Sequence, residues 1–131
     1  MNCLLKTMTA GALCLFTAAA IAVPPKQLVT HNTTSVESNA FIDGTIASQH
    51  PTKAYTDGKV FWTVVKMACF GHTVNGKCSA LIKMKTDTAS PVTIGTVFLD
   101  LESGDITPKQ VSANGYTITV NGPGETTLST N

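Results

Sequence analysis

From Lys59 to Val120 the chain alternates runs of β-forming residues with short loops, and none of those loops is long enough to hold a crossover helix. The runs are Lys59–Cys69 (KVFWTVVKMAC), Cys78–Thr86, Val92–Leu101, Ile106–Val111 and Tyr116–Val120, all rich in Val, Ile, Thr and aromatic residues. Asn75-Gly76, Ala89-Ser90-Pro91, Ser103-Gly104-Asp105 and Asn114-Gly115 supply the turn chemistry between them. Parallel neighbours need long crossovers, so consecutive strands are expected to pair antiparallel. In Tyr116–Val120 the residues Tyr116, Ile118 and Val120 face one way and Thr117 and Thr119 the other, as in a half-buried strand. Pro108 cannot donate to a ladder, which puts its segment at a sheet edge or a bulge. The pattern predicts an all-β fold: a small antiparallel β-sandwich or partly open barrel over residues 59–131.

The N-terminal third reads differently. Residues 1–22 carry one cation, Lys6, then an apolar stretch from Met8 to Phe16, then small residues from Ala18 to Ala22. That order matches a cleaved secretory signal peptide. Ala20-Ile21-Ala22 is the expected cleavage site, leaving Val23 first, with cleavage after Ala20 as the alternative. The apolar run is too short to cross a bilayer. Cys14 follows the bulky Leu13, against a lipoprotein site, so no stable membrane anchor is expected. Residues 23–58 begin with Pro24-Pro25 and are polar from Thr30 to Asn39 apart from Val36. They are expected to form a flexible N-terminal arm with one strand near Ala40-Phe41-Ile42 and Gly44-Thr45-Ile46. The chain is thus expected to be secreted or periplasmic.

Cleavage changes the charge and cysteine arithmetic. It leaves 109 residues with eight Lys against eight acids, no Arg, and two of the four cysteines, Cys69 and Cys78. A neutral chain without the bidentate guanidinium fork offers no footprint for nucleic acid. It offers none for an anionic membrane surface either. In an oxidising compartment the two cysteines are expected to form a disulfide. If they face each other across a hairpin, Met67 lies opposite Ala80, Val65 opposite Ile82 and Thr63 opposite Met84, which puts apolar residues on one face. A two-residue turn at Asn75-Gly76 would instead set Cys78 opposite Thr73. Cys69 would then be displaced by four residues, roughly 13 Å along the strand and beyond disulfide reach. The disulfide and a regular two-residue Asn-Gly hairpin are thus expected to exclude each other, and the disulfide is the expected one, with Asn75-Gly76 as a local turn inside the eight-residue loop.

The bracketed loop, with Phe70, His72 and Asn75, is the candidate partner-binding surface, joined by Trp62 if that side chain is exposed. Both faces of Lys59–Cys69 are largely apolar, so burial of Trp62 in a second layer is the simpler expectation. No metal site is expected. His72 lies between the cysteines, but His31 and His50 have no spacing relation to it. Asp100, Glu102 and Asp105 in DLESGD do not match a calcium loop and read as a solvated turn. Neither G-x-S-x-G nor a phosphate-loop context occurs, and no cofactor is expected. These features point to an exported, non-catalytic binding or interaction protein whose partner, a protein or another extracellular ligand, is unknown. The alternatives are an extracellular hydrolase or hydrolase inhibitor using Asp100, Glu102 and His72, and a subunit of an extracellular assembly.

Overall fold

The computed structural model describes residues 23–131, and the expected signal peptide lies outside them. Among the described residues eleven strands form two facing sheets without a closed barrel, with one short helix. The strands are β1 (Gln27–Asn32), β2 (Ser38–Ile42), β3 (Ile46–Ala47), β4 (Asp57–Phe61), β5 (Thr73–Val74), β6 (Lys77–Met84), β7 (Val92–Asp100), β8 (Ile106–Thr107), β9 (Gln110–Ala113), β10 (Tyr116–Gly122) and β11 (Glu125–Thr130). The helix α1 spans Trp62–Ala68. The first sheet runs β4-β1-β11-β10-β9 and the second β3-β2-β6-β7-β8, with β5 also on β6. The β-sandwich expected from the runs and turns is the observed architecture.

Alternation does the core packing. On β6 the residues Cys78, Ala80, Ile82 and Met84 are buried, while Lys77, Ser79, Leu81 and Lys83 face outward. Ile94, Val97 and Leu99 of β7 join them, and Ile118 and Leu128 answer from the first sheet. The segment expected as a single strand at Ile106–Val111 is two. Ile106–Thr107 edges the second sheet and Gln110–Ala113 edges the first, the chain changing sheets at Pro108-Lys109. Pro108 thus sits between two edge strands, where its missing N–H costs no ladder bond.

The expected flexible arm is instead part of the sandwich. β1 lies between β4, antiparallel, and β11, parallel, so the N-terminal strand is interior to the first sheet. Its low apolar content is offset by a buried polar network. Asn32, only 2% exposed, donates to the carbonyls of Val36, Thr52 and Lys53 and accepts from the Thr34 N–H and hydroxyl. The expected single strand after Ala40 breaks at Asp43-Gly44 into the β2–β3 hairpin.

The expected strand Lys59–Cys69 also breaks. β4 ends at Phe61, opposite Gln27, the first residue of β1. One more bond follows, from the Trp62 N–H to the Lys26 carbonyl at 2.9 Å, and from there a helix satisfies its own N–H and C=O groups. The helix places Trp62, Val65 and Cys69 in the core on one face. The expected hairpin register is therefore absent: Ala80 pairs with Ile42 and Val97, not Met67. The Asn75-Gly76 turn forms as well, pairing Thr73 with Cys78 and Val74 with Lys77, with both turn residues at positive φ. The expected exclusion of the two therefore does not hold, because it assumed one strand continuous from Lys59 to Cys69. With α1 turning the chain back, the disulfide Cys69–Cys78 closes across a Cα–Cα distance of 5.9 Å.

Two stability outcomes follow from these contacts. Replacing Cys69 and Cys78 together by Ala should cost about 2 to 3 kcal/mol in a urea titration followed by Trp62 fluorescence, from the loop entropy restored to the unfolded chain. Asn32→Ala should cost about 2 to 3 kcal/mol in the same titration, because it leaves buried carbonyls without donors.

Candidate functional site

The surface around the disulfide is assembled where two strands share one side of β6. β2 covers Ala80–Met84 and β5 covers Lys77–Cys78, so the end of β2 and the start of β5 meet beside Ser79. Asp43 leaves β2 at φ +55 and its N–H donates to the Ser79 carbonyl at 3.2 Å. On the other side Cys69 ends α1, its N–H bonded to the Val65 carbonyl. Gly71, at φ +81, turns the chain out of the helix, and the His72 N–H returns to the Cys69 carbonyl at 2.8 Å.

These two turns bring His72 and Asp43 together. His72 Nδ1 donates to Asp43 Oδ2 at 2.7 Å, and the Ser79 hydroxyl donates to Asp43 Oδ1 at 3.3 Å. A groove of about 310 Å³ opens here, lined by Asp43, His72, Val74, Asn75, Lys77, Ser79 and Phe98. Two of the lining side chains are apolar groups that a folded chain ordinarily hides, Val74 at 74% exposed and Phe98 at 43%, and Phe70, 85% exposed, precedes His72 by two residues on the same disulfide-closed loop. Polar groups that fix orientation and apolar groups that supply contact area thus share one surface.

The arrangement does not match a hydrolytic relay. Asp43 stands between the serine and the imidazole, so Ser79 gives its hydrogen bond to the carboxylate and not to His72. Neither Asp100 nor Glu102 lines this groove. The Asp100 carboxylate accepts the N–H groups of Ser103 and Glu102 at 3.1 and 2.9 Å. Those bonds, Ser103's the larger contribution, hold its pKa below the ordinary carboxylate value. Asp105 pairs with Lys109. Asp100 is thus committed to its own turn and Asp105 to Lys109.

Of the four residues singled out from sequence, Phe70, His72 and Asn75 lie on this surface and Trp62 does not. Trp62 is 3% exposed, and its indole N–H donates to the Leu101 carbonyl at 3.0 Å, so the condition attached to it is not met. Asp43, Val74, Lys77, Ser79 and Phe98 were not singled out. The turn signal of Asp43-Gly44 and the outward register of Phe98 between buried Val97 and Leu99 were the available cues.

A second cluster lies on the outer face of the first sheet. His31 of β1 donates from Nδ1 to Asp57 of β4 at 2.8 Å and from Nε2 to Glu125 of β11 at 2.7 Å. Two carboxylate acceptors require both ring nitrogens protonated. The hydrogen bonds to Asp57 and then Glu125 raise its pKa above 6.5, against a smaller opposing effect of burial. The stabilisation is therefore complete below the unfolded-state value and is lost as pH rises through the raised folded-state value. Urea unfolding should show greater stability at pH 5.5 than at pH 8.5, and His31→Gln should remove most of that difference.

The sequence and fold were compared with known proteins. A protein-family model described as "T2SS substrate NttC" matches residues 1–131. Among solved structures the chain is similar to the crystal structure of the Legionella pneumophila type II secretion system substrate NttC. The two are 55% identical, the match covers 82% of this chain and 99% of that one, and the TM-score is 0.80. No curated protein sequence matches.

Proposed function

The chain belongs to the family of the type II secretion system substrate NttC, and from that premise we propose that it is an exported, non-catalytic binding protein whose contact surface is the disulfide-bounded groove. Membership in a family of secretion substrates makes it an exported protein. The observation that carries the binding reading is the exposure of the apolar Val74 and Phe98 in a groove with fixed polar groups, with exposed Phe70 on the loop that supplies His72 and Asn75 to its wall. Solvated apolar patches rimmed by polar residues mark contact sites. The loop that presents Phe70, His72 and Asn75 is tied at both ends by the Cys69–Cys78 bond. Such a loop loses little conformational freedom on binding, which favours affinity.

The charge balance bears on the kind of partner. Residues 23–131 carry eight Lys and eight acids, and the groove itself contains one of each, Asp43 and Lys77. Recognition then rests on apolar contact and directed hydrogen bonds more than on long-range attraction, so affinity should change little between low and physiological salt.

The test places a photo-crosslinking phenylalanine analogue at Phe70, at Phe98 or at the control position Ser90 of the secreted protein, followed by exposure to extracellular material. Adducts of one molecular mass are expected from Phe70 and Phe98 and not from Ser90, and Val74→Asp should abolish them. Equal labelling from all three positions, or none from the two groove positions, overturns the reading.

A further inference from the structure

The two edges of the sandwich are closed to different degrees. At the β8–β9 side Ile106 and Ile118 are 1% and 3% exposed. At the other side the first sheet ends in β4 and the second in the two-residue β3. Leu28 and Val60 pair across β1 and β4 on the inward face, yet both are only half-buried. Facing them are the small side chains of Ala40 on β2 and Ala80 on β6. Gly58 on β4 is covered by the Thr52 side chain, so the space comes from the second sheet, whose small residues leave room that a well-filled sandwich closes with larger side chains.

That space comprises two cavities of about 100 and 80 Å³, which share Leu28, Ala40, Val60 and Ala80 as apolar walls and Ser48 and His50 as polar ones, the larger having Thr30, Ser38, Thr52 and Thr126 in its wall as well. Ser48 and the backbone of His50 are held in place. The Asn39 amide donates to the Ser48 carbonyl at 2.8 Å, and the His50 N–H donates to the Ser48 hydroxyl oxygen at 3.0 Å. The Ser48 hydroxyl keeps its own proton to give, and the exposed His50 ring has a further N–H. The smaller cavity is thus apolar apart from Ser48 and His50, the larger is mostly so, and these two donors border both.

We propose that this open edge is a binding site for a small amphiphile, a medium-chain carboxylic acid, with its alkyl chain between the sheets and its carboxylate at Ser48 and His50. Size limits the chain. An apolar cavity of about 150 Å³ admits benzene, so two adjoining cavities of the present volumes suit an alkyl chain of about six to eight carbons. The Ser48 hydroxyl and the His50 ring N–H match an acceptor-only head. The site lies between the sheets and is separate from the disulfide-bounded groove on the outer face of the second, so either can fail without the other.

The test titrates octanoate, and in parallel octanol, into the isotopically labelled secreted protein below the concentration at which either aggregates. Saturable shifts are expected at Leu28, Ala40, Val60 and Ala80, with nuclear Overhauser contacts from ligand methylenes to the Leu28 and Val60 methyl groups. Ala40→Leu should fill the mouth and weaken octanoate by about tenfold or more, a change of about 1.4 kcal/mol. His50→Ala should weaken octanoate and leave octanol unchanged. Absence of saturable shifts in the unsubstituted protein, or shifts confined to outer faces, overturns the site whether or not Ala40→Leu folds. Equal weakening of octanoate and octanol by His50→Ala overturns the placement of the carboxylate.

Discussion

The first sheet is two separate stretches of chain until Gln27–Asn32 enters between them. Among the described residues β4 pairs with β1 alone, and β11 meets β1 in the parallel pairing that joins the two ends of the described chain. Both pairings close over long sequence separations, and such contacts are slow to form because chain entropy is lost before they reward it. What holds β1 in place is only partly apolar. Leu28 is the single large aliphatic among its inward residues, with Thr30 and Asn32 beside it. Asn32 ties the following loop to the Thr52–Lys53 segment, and His31 ties the strand to both neighbours on the opposite face. A strand of modest hydrophobicity is thus secured by satisfied polar groups, which specify register more sharply than an apolar contact does.

Where β1 starts also decides what happens after β4. The ladder is exhausted just past the Gln27–Phe61 pair, and the chain turns into α1. From that turn follow the burial of Trp62, the closure of Cys69 on Cys78, and the outward presentation of Phe70 and His72. The surface proposed to meet a partner and the cavity proposed to take an acyl chain both adjoin this corner. Val65, Cys69 and Cys78 wall one of the cavities from inside, and the loop leaving Cys69 forms the outer groove.

Much of this was legible in the residues. The alternation on β6, β7 and β10, the turn at Asn114-Gly115 and the edge position of Pro108 all express local rules, so the sandwich and most strand positions could be read directly. The helix could not be read with the same rules, because Val64, Val65 and the aromatic pair Phe61-Trp62 favour strand. Its trace was the spacing of Trp62, Val65 and Cys69, one helical face in a segment whose composition says strand. The candidate groove was half legible. Phe70, His72 and Asn75 stand within one loop, whereas Asp43, Ser79 and Phe98 come from three other segments and meet only through the pairings of β6.

By itself the sequence determined the all-β class, the oxidising context that makes Cys69 and Cys78 a pair, and the neutral, arginine-free surface. Those properties depend on residue type, local periodicity and counting. The tertiary structure alone decided that the N-terminal segment is an interior strand, that the disulfide and the Asn75-Gly76 turn coexist, and that one sandwich edge stays open. Each depends on which distant segment supplies a partner, and the hydrogen-bonding need of a backbone group names no partner until the chain has folded.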